Sequence, residues 1–170
     1  MQTVVLYGDK EDKTLKNMII KEIATDFCVI YYNGDKLLSS GDGEKILLIE
    51  SDNINEIETE CIIILKNNLK TEKIKNLNEN SIVIINSGNK SHIEWMSGLD
   101  AGVITCGMLA KDTMTFSSIS ENSAVISLQR SLPLKNTVIE PFEMPVTKHK
   151  DFDEYSMLSI AILKLIISNL

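Results

Sequence analysis

Basic clusters, histidine and long apolar runs are all scarce in this sequence, and each scarcity excludes something. The 17 lysines and arginines face 24 aspartates and glutamates, giving a net charge of −7. No segment gathers the bases into a face that could neutralise a phosphate backbone, so a nucleic-acid partner is excluded. There are only two histidines, His92 and His149, and no Cys/His cluster of the kind that holds zinc. Cys28, Cys61 and Cys106 each lie in an apolar run, none is two or three residues from another, and an odd number cannot pair completely. They read as three buried free thiols in a reducing compartment. The most apolar stretch, YSMLSIAILKLIISNL, is interrupted by Ser156, Ser159, Lys164 and Ser168 and is shorter than the ~20 apolar residues of a membrane span. No secretory leader precedes the first strand-like run, so no membrane association and a cytoplasmic location are expected. Repeats, low-complexity tracts and long linkers are absent as well.

What is present suits one globular domain over residues 1–170, with 44% hydrophobic and 24% charged residues. Runs of β-branched residues recur at 3–7, 27–32, 46–50, 61–65, 81–86 and 102–106. Most are continuously apolar, as in strands covered on both faces. Between several of them lie helical patterns. Leu15, Met18, Ile19 and Ile23 share one face over 13–25, and KTEKIKNL (70–77) and KSHIEWMSGL (90–99) are shorter candidates. This alternation predicts an α/β fold: a mostly parallel, Rossmann-like or P-loop-like sheet with helices on both faces. From 113 to 146 strand-like runs follow one another without helices, which predicts an antiparallel β-meander. A helix opening near the acids Asp151 to Glu154 closes the chain. Its apolar positions (Tyr155, Met157, Leu158, Ile160, Ile162, Leu163, Leu165, Ile166, Ile167 and Leu170) outnumber one core-facing stripe. Part of this C-terminal helix is therefore expected in a homodimer interface or against a protein partner, the alternative being burial under the meander.

The stretch VVLYGDKEDKTLKNMI (4–19) has the layout of a strand, a phosphate-binding loop and a helix. Gly8, Lys13 and Thr14 match that loop in kind, as glycine for close approach, lysine for phosphate and hydroxyl for metal. The spacing from Gly8 to Lys13 is one residue short, and Asp12 stands where glycine belongs. A carboxylate ~4 Å from a phosphate charge costs about 1 kcal/mol in water and roughly 4 kcal/mol at an effective dielectric of 20. The competing reading makes Gly8 a turn, Asp9 or Asp12 a helix cap, and the lysines solvated. His92 reads as a helix-surface residue and Trp95 and Met96 as core, while Asp42 and Glu44 look solvated. Lys148, His149 and Lys150 form a small basic turn.

The order of segments resembles the central, ATP-binding domain of the Mur ligase family, which includes the folylpolyglutamate synthetases. YGDKEDKTLKNMI resembles that family's G-T-x-G-K-T loop and helix. ILLIESDNINEI resembles its strand ending in Glu-x-Ser-Ser, with Glu50 at the magnesium-holding position. CIIILKNN resembles the strand with a Thr-Asn ending, Asn67 matching the asparagine. SIVIINSGNKSHIEWM, AGVITCGM and EYSMLSIAIL resemble its later strand and helix motifs. The departures gather where chemistry would occur. The glycine beside Lys13 is missing, Asn68-Leu69-Lys70 lacks the Asp-His that serves the metal, and Asn86-Ser87-Gly88-Asn89 lacks an acidic pair. Ser156 replaces an asparagine, and His149 comes too early for the family's histidine. The resemblance implies a catalytically inactive relative that serves as a binding or interaction module, with Gly8, Lys13, Thr14 and Glu50 as vestiges and no cofactor. One alternative is an ATP- and magnesium-dependent amide ligase needing partner domains. Another is a Rossmann-like small-molecule binder with its site at the carboxyl ends of the strands.

Overall fold

The β-branched runs pair as their pattern predicts. A computed structural model of the chain describes residues 1–69, 73–148 and 153–169. In chain order the first half consists of β1 (Gln2–Tyr7), α1 (Thr14–Ile23), β2 (Cys28–Tyr32), β3 (Leu37–Ser40), β4 (Lys45–Ser51), β5 (Glu56–Ile57), β6 (Ile62–Leu65) and β7 (Asn76–Leu77). The second half consists of β8 (Ile82–Asn86), α2 (Lys90–Met96), β9 (Gly102–Cys106), β10 (Met114–Ile119), β11 (Ser123–Leu128), β12 (Leu132–Pro133), β13 (Val138–Ile139), β14 (Phe142–Thr147) and α3 (Glu154–Ile167). Ten strands form one sheet in the order β14-β11-β10-β9-β8-β6-β1-β4-β2-β3. The run from β2 to β10 is parallel, while β3 at one edge and β11 and β14 at the other are antiparallel.

β1 is central, with Val4 opposite both Leu48 of β4 and Ile62 of β6. The chain first builds β2, β3 and β4 on one side of β1 and then crosses to β6 on the other. Such a reversal opens a crevice at the carboxyl ends of the strands. Alternate residues of the strands feed two cores. Val4, Leu6, Ile62 and Ile64 pack under α1 and α3, whereas Val5, Tyr7, Ile63 and Leu65 pack with Trp95 of α2 on the opposite face. Helices therefore cover both faces, and the meander extends the sheet as the sequence predicts.

Several expectations need correction. Residues 73–77 of the helical candidate over 70–77 are not helical; β7 pairs with β5 instead, and residues 70–72 lie outside the described residues. The edge strand β3 carries little apolar signal and forms because β2 templates it from Val29↔Ser40 to Tyr32↔Leu37. α3 differs most from expectation. Tyr155, Met157, Leu158, Ile160, Ile162, Leu163, Ile166 and Ile167 are all buried within one chain, against α1 and the sheet. Of the ten apolar positions behind the expected homodimer interface, these eight are covered within one chain, while Leu165 is half-buried. Ser156 and Ser159, which interrupt the apolar stretch in the sequence, are buried too, because their hydroxyls find partners on the same helix. Ser156 Oγ donates to Asp153 at 2.6 Å, and Ser159 Oγ donates to the Tyr155 carbonyl at 2.7 Å. Leu170, His149, Lys150 and Asp151 lie outside the described residues. Among those described, no helix is long and apolar enough to cross a membrane.

Candidate functional site

The loop that leaves β1 lies at the reversal point, tied to the ends of β4 and β6. Gly8 turns it at φ +142°, and a Cβ there would lie 2.8 Å from Lys66 Cβ and 3.0 Å from the Asn68 carbonyl. Only glycine fits. The close approach that sequence reasoning reserved for a phosphate is made by a lysine stem. Gly8 N–H donates to Ser51 O at 3.0 Å and Asp9 N–H to Asn68 O at 2.9 Å, tying the loop to the ends of β4 and β6. Asp9 accepts from Glu11 N–H and Asp12 accepts from Thr14 N–H, each at 3.0 Å. The Asp12 carboxylate thus satisfies an orphan donor in the first turn of α1.

Lys66, directly after β6, is the residue the sequence reading missed. Its Nζ donates to the carbonyls of Asp9 at 2.8 Å and Asp12 at 2.7 Å, and to Glu50 Oε1. Both the Lys66 and the Glu50 side chain are 0% exposed. The other Glu50 oxygen, Oε2, accepts from the Tyr31 hydroxyl, and Lys13 Nζ stands 3.9 Å from it. Burial, reinforced by the hydrogen bond to Glu50 and its charge, pushes the Tyr31 hydroxyl well above the usual phenol range and keeps it a donor. Lys13 points its ammonium at the Lys10 carbonyl, and Thr14 is exposed. Gly8, Lys13 and Glu50 therefore meet, while Thr14 stays outside at the helix start. Among the described residues, no three side chains of metal-ligating type gather at Glu50. The one available signal for Lys66 was a lysine at the end of an entirely buried strand, CIIIL, next to the reversal point.

A second layer fixes the end of β6. His92 is buried, not a helix-surface residue. Its Nδ1 accepts from Asn86 N–H at 3.0 Å, so Nε2 carries the proton and donates to the Lys66 carbonyl at 2.9 Å. Burial lowers its pKa and keeps the ring neutral. The Tyr155 hydroxyl reaches the Leu65 carbonyl at 2.6 Å, with the Ile84 carbonyl at 3.1 Å. Asn86 Nδ2 donates to Asn67 Oδ1 at 3.1 Å, and Asn89, the cap of α2, donates to the Asn67 carbonyl at 2.9 Å. Asp42 and Glu44 are exposed and Trp95 is buried, as expected, whereas Met96 is only half-buried. Cys61 and Cys106 are buried free thiols with pKa values raised by burial, while Cys28 is half-buried. Beside the crevice, a hollow of about 250 Å³ opens at the ends of β8 and β9, lined by Asn86, Ser87, Gly107, Met108, Glu154 and Tyr155 among others. The buried Ser87 Oγ has no hydrogen-bond partner among the described residues.

No described protein family matches the chain, and no curated protein does. Among solved structures, the fold is similar to that of a murein peptide ligase from Psychrobacter arcticus, with a TM-score of 0.55 at 10% identity. The match covers 97% of this chain but 44% of the ligase, so this chain spans less than half of that protein's length. The likeness establishes a distant Mur-ligase-like fold.

Proposed function

We propose that this chain is a degenerate Mur-ligase-like domain that holds no nucleotide and performs no ligation, serving instead as a binding or interaction module. The observation that carries this reading is the Lys66 ammonium seated behind the 8–13 loop. A phosphate cradle presents backbone N–H groups to an anion. Here the carbonyls of Asp9 and Asp12 face inward, toward a cation the chain itself supplies. Glu50 does not fit a magnesium site, because one oxygen is taken by Lys66 and the other by Tyr31. Asp12 adds a negative charge where a phosphate would approach. Unpaired thiols suit a reducing compartment, and the reading places the protein in the cytoplasm.

Titration with ATP and magnesium tests this directly. A ligand at 100 times its dissociation constant adds about 2.7 kcal/mol, several degrees in melting midpoint for a domain of this size. The expected shift is zero. A clear shift that Lys13→Ala abolishes overturns the reading in favour of a nucleotide-dependent, ligase-like enzyme completed by partner domains. The hollow beside Ser87 supports a second reading, a small-molecule binder, since an unpartnered buried hydroxyl is expected to meet a polar ligand or water.

A further inference from the structure

We infer that the space enclosed by the 8–13 loop and the ends of β4 and β6 is a cation site of its own, that its occupant is the Lys66 side chain, and that the ligand class it takes is a primary alkylammonium. An ammonium has three N–H donors and no acceptor. Lys66 Nζ meets three oxygen acceptors, the carbonyls of Asp9 and Asp12 and Glu50 Oε1, so each donor has its own partner. The acceptors come from two separate parts of the chain, the loop and β4, and converge on one point. Tyr31 donates to Glu50 Oε2, which leaves Oε1 to the cation. Glu50 is 1% exposed, and a buried carboxylate requires a partner charge. Lys13 does not supply that partner from inside the site, because it stays 41% exposed with its Nζ 3.9 Å from Oε2. Gly8, without a Cβ, leaves the channel through which the stem enters.

The arrangement holds an internal positive charge at the reversal point, where it joins the loop to β4. The inference rests on the nucleotide-free reading of the same loop, yet the two are tested separately, one by ATP on the intact protein and one by amines on a variant.

Lys66→Ala removes the three outer carbons and the nitrogen, which n-propylammonium restores atom for atom. The variant is expected to melt below wild type. At about five times its dissociation constant, n-propylammonium is expected to raise the variant's midpoint by roughly 2–4 °C while leaving wild type unchanged. Lys66→Met, whose side chain fills the channel, is expected to show no rise. Tetramethylammonium, with the same charge but no N–H donor, is expected to have no effect on any of the three proteins. A Lys66→Ala variant that is folded but indifferent to n-propylammonium, or one that tetramethylammonium stabilises equally, overturns the proposal. Where Lys66→Ala alone is unfolded, n-propylammonium is expected to restore the native circular dichroism spectrum, and its failure to do so overturns the proposal just as firmly.

Discussion

Two sets of buried polar groups solve the same problem in opposite ways. In α3, Ser156 and Ser159 bury hydroxyls by bonding to groups three and four residues away on the same helix. At the reversal point, Lys66 buries a full charge with partners 16, 54 and 57 residues away. The local solution accompanies the helix wherever it goes, so it decides nothing about what the helix packs against. The long-range solution exists only once β4, β1 and β6 lie side by side, and it then fixes the loop above them. A buried charge deprived of its partner is far more costly than a lost hydroxyl contact. The reversal point should therefore be the brittle region and α3 the tolerant one.

The sharpest way to break this contrast is Lys66→Met, which leaves buried Glu50 with the Tyr31 hydroxyl and, as its remaining charge, the half-exposed Lys13 ammonium at 3.9 Å. A loss of about 3–5 kcal/mol in urea unfolding is expected. A loss below about 1 kcal/mol would show that Glu50 reaches solvent or Lys13 and that the region is not brittle. Tyr31→Phe removes a donor to a charged acceptor and should cost about 1.5–3 kcal/mol by the same measurement. Asp153→Ala removes the side-chain cap of α3 and should cost about 1 kcal/mol. Ser156→Ala, the mildest change, should cost about 0.5 kcal/mol, since Asp153 is exposed and water replaces the hydroxyl.

His92 gives the comparison a pH axis. Its folded-state pKa lies below its unfolded value, so the unfolded chain binds the proton first as pH falls. The stability tied to the neutral ring is fully present above the unfolded value near 6.5 and is lost as pH falls below it. Wild type should lose stability more steeply than His92→Gln between about pH 7.5 and about pH 5.5. Equal slopes would mean that the ring is free to charge in place.

The sequence by itself determined most of the sheet's long strands and α1, though not β3 or the strand β7 that stands where a helix was expected. Continuous β-branched runs marked strands covered on both faces, and Leu15, Met18, Ile19 and Ile23 marked α1 by their spacing. The helix-free stretch after residue 113 marked the meander. These are properties of a few adjacent residues, set by side-chain direction along a strand or helix, and so they can be read without knowing the fold. Gly8, Lys13 and Glu50 were also legible as a group, through the resemblance. What only the tertiary structure decided is what fills the space between them. Lys66 reads as an ordinary charge after a strand, His92 as a surface residue, and α3 as too apolar for one chain. Each of these judgements was reversed by neighbours distant in sequence. Strand order, which no local pattern encodes, sets Lys66 beside Glu50 and under Gly8, and a buried charge takes its meaning entirely from the groups that surround it.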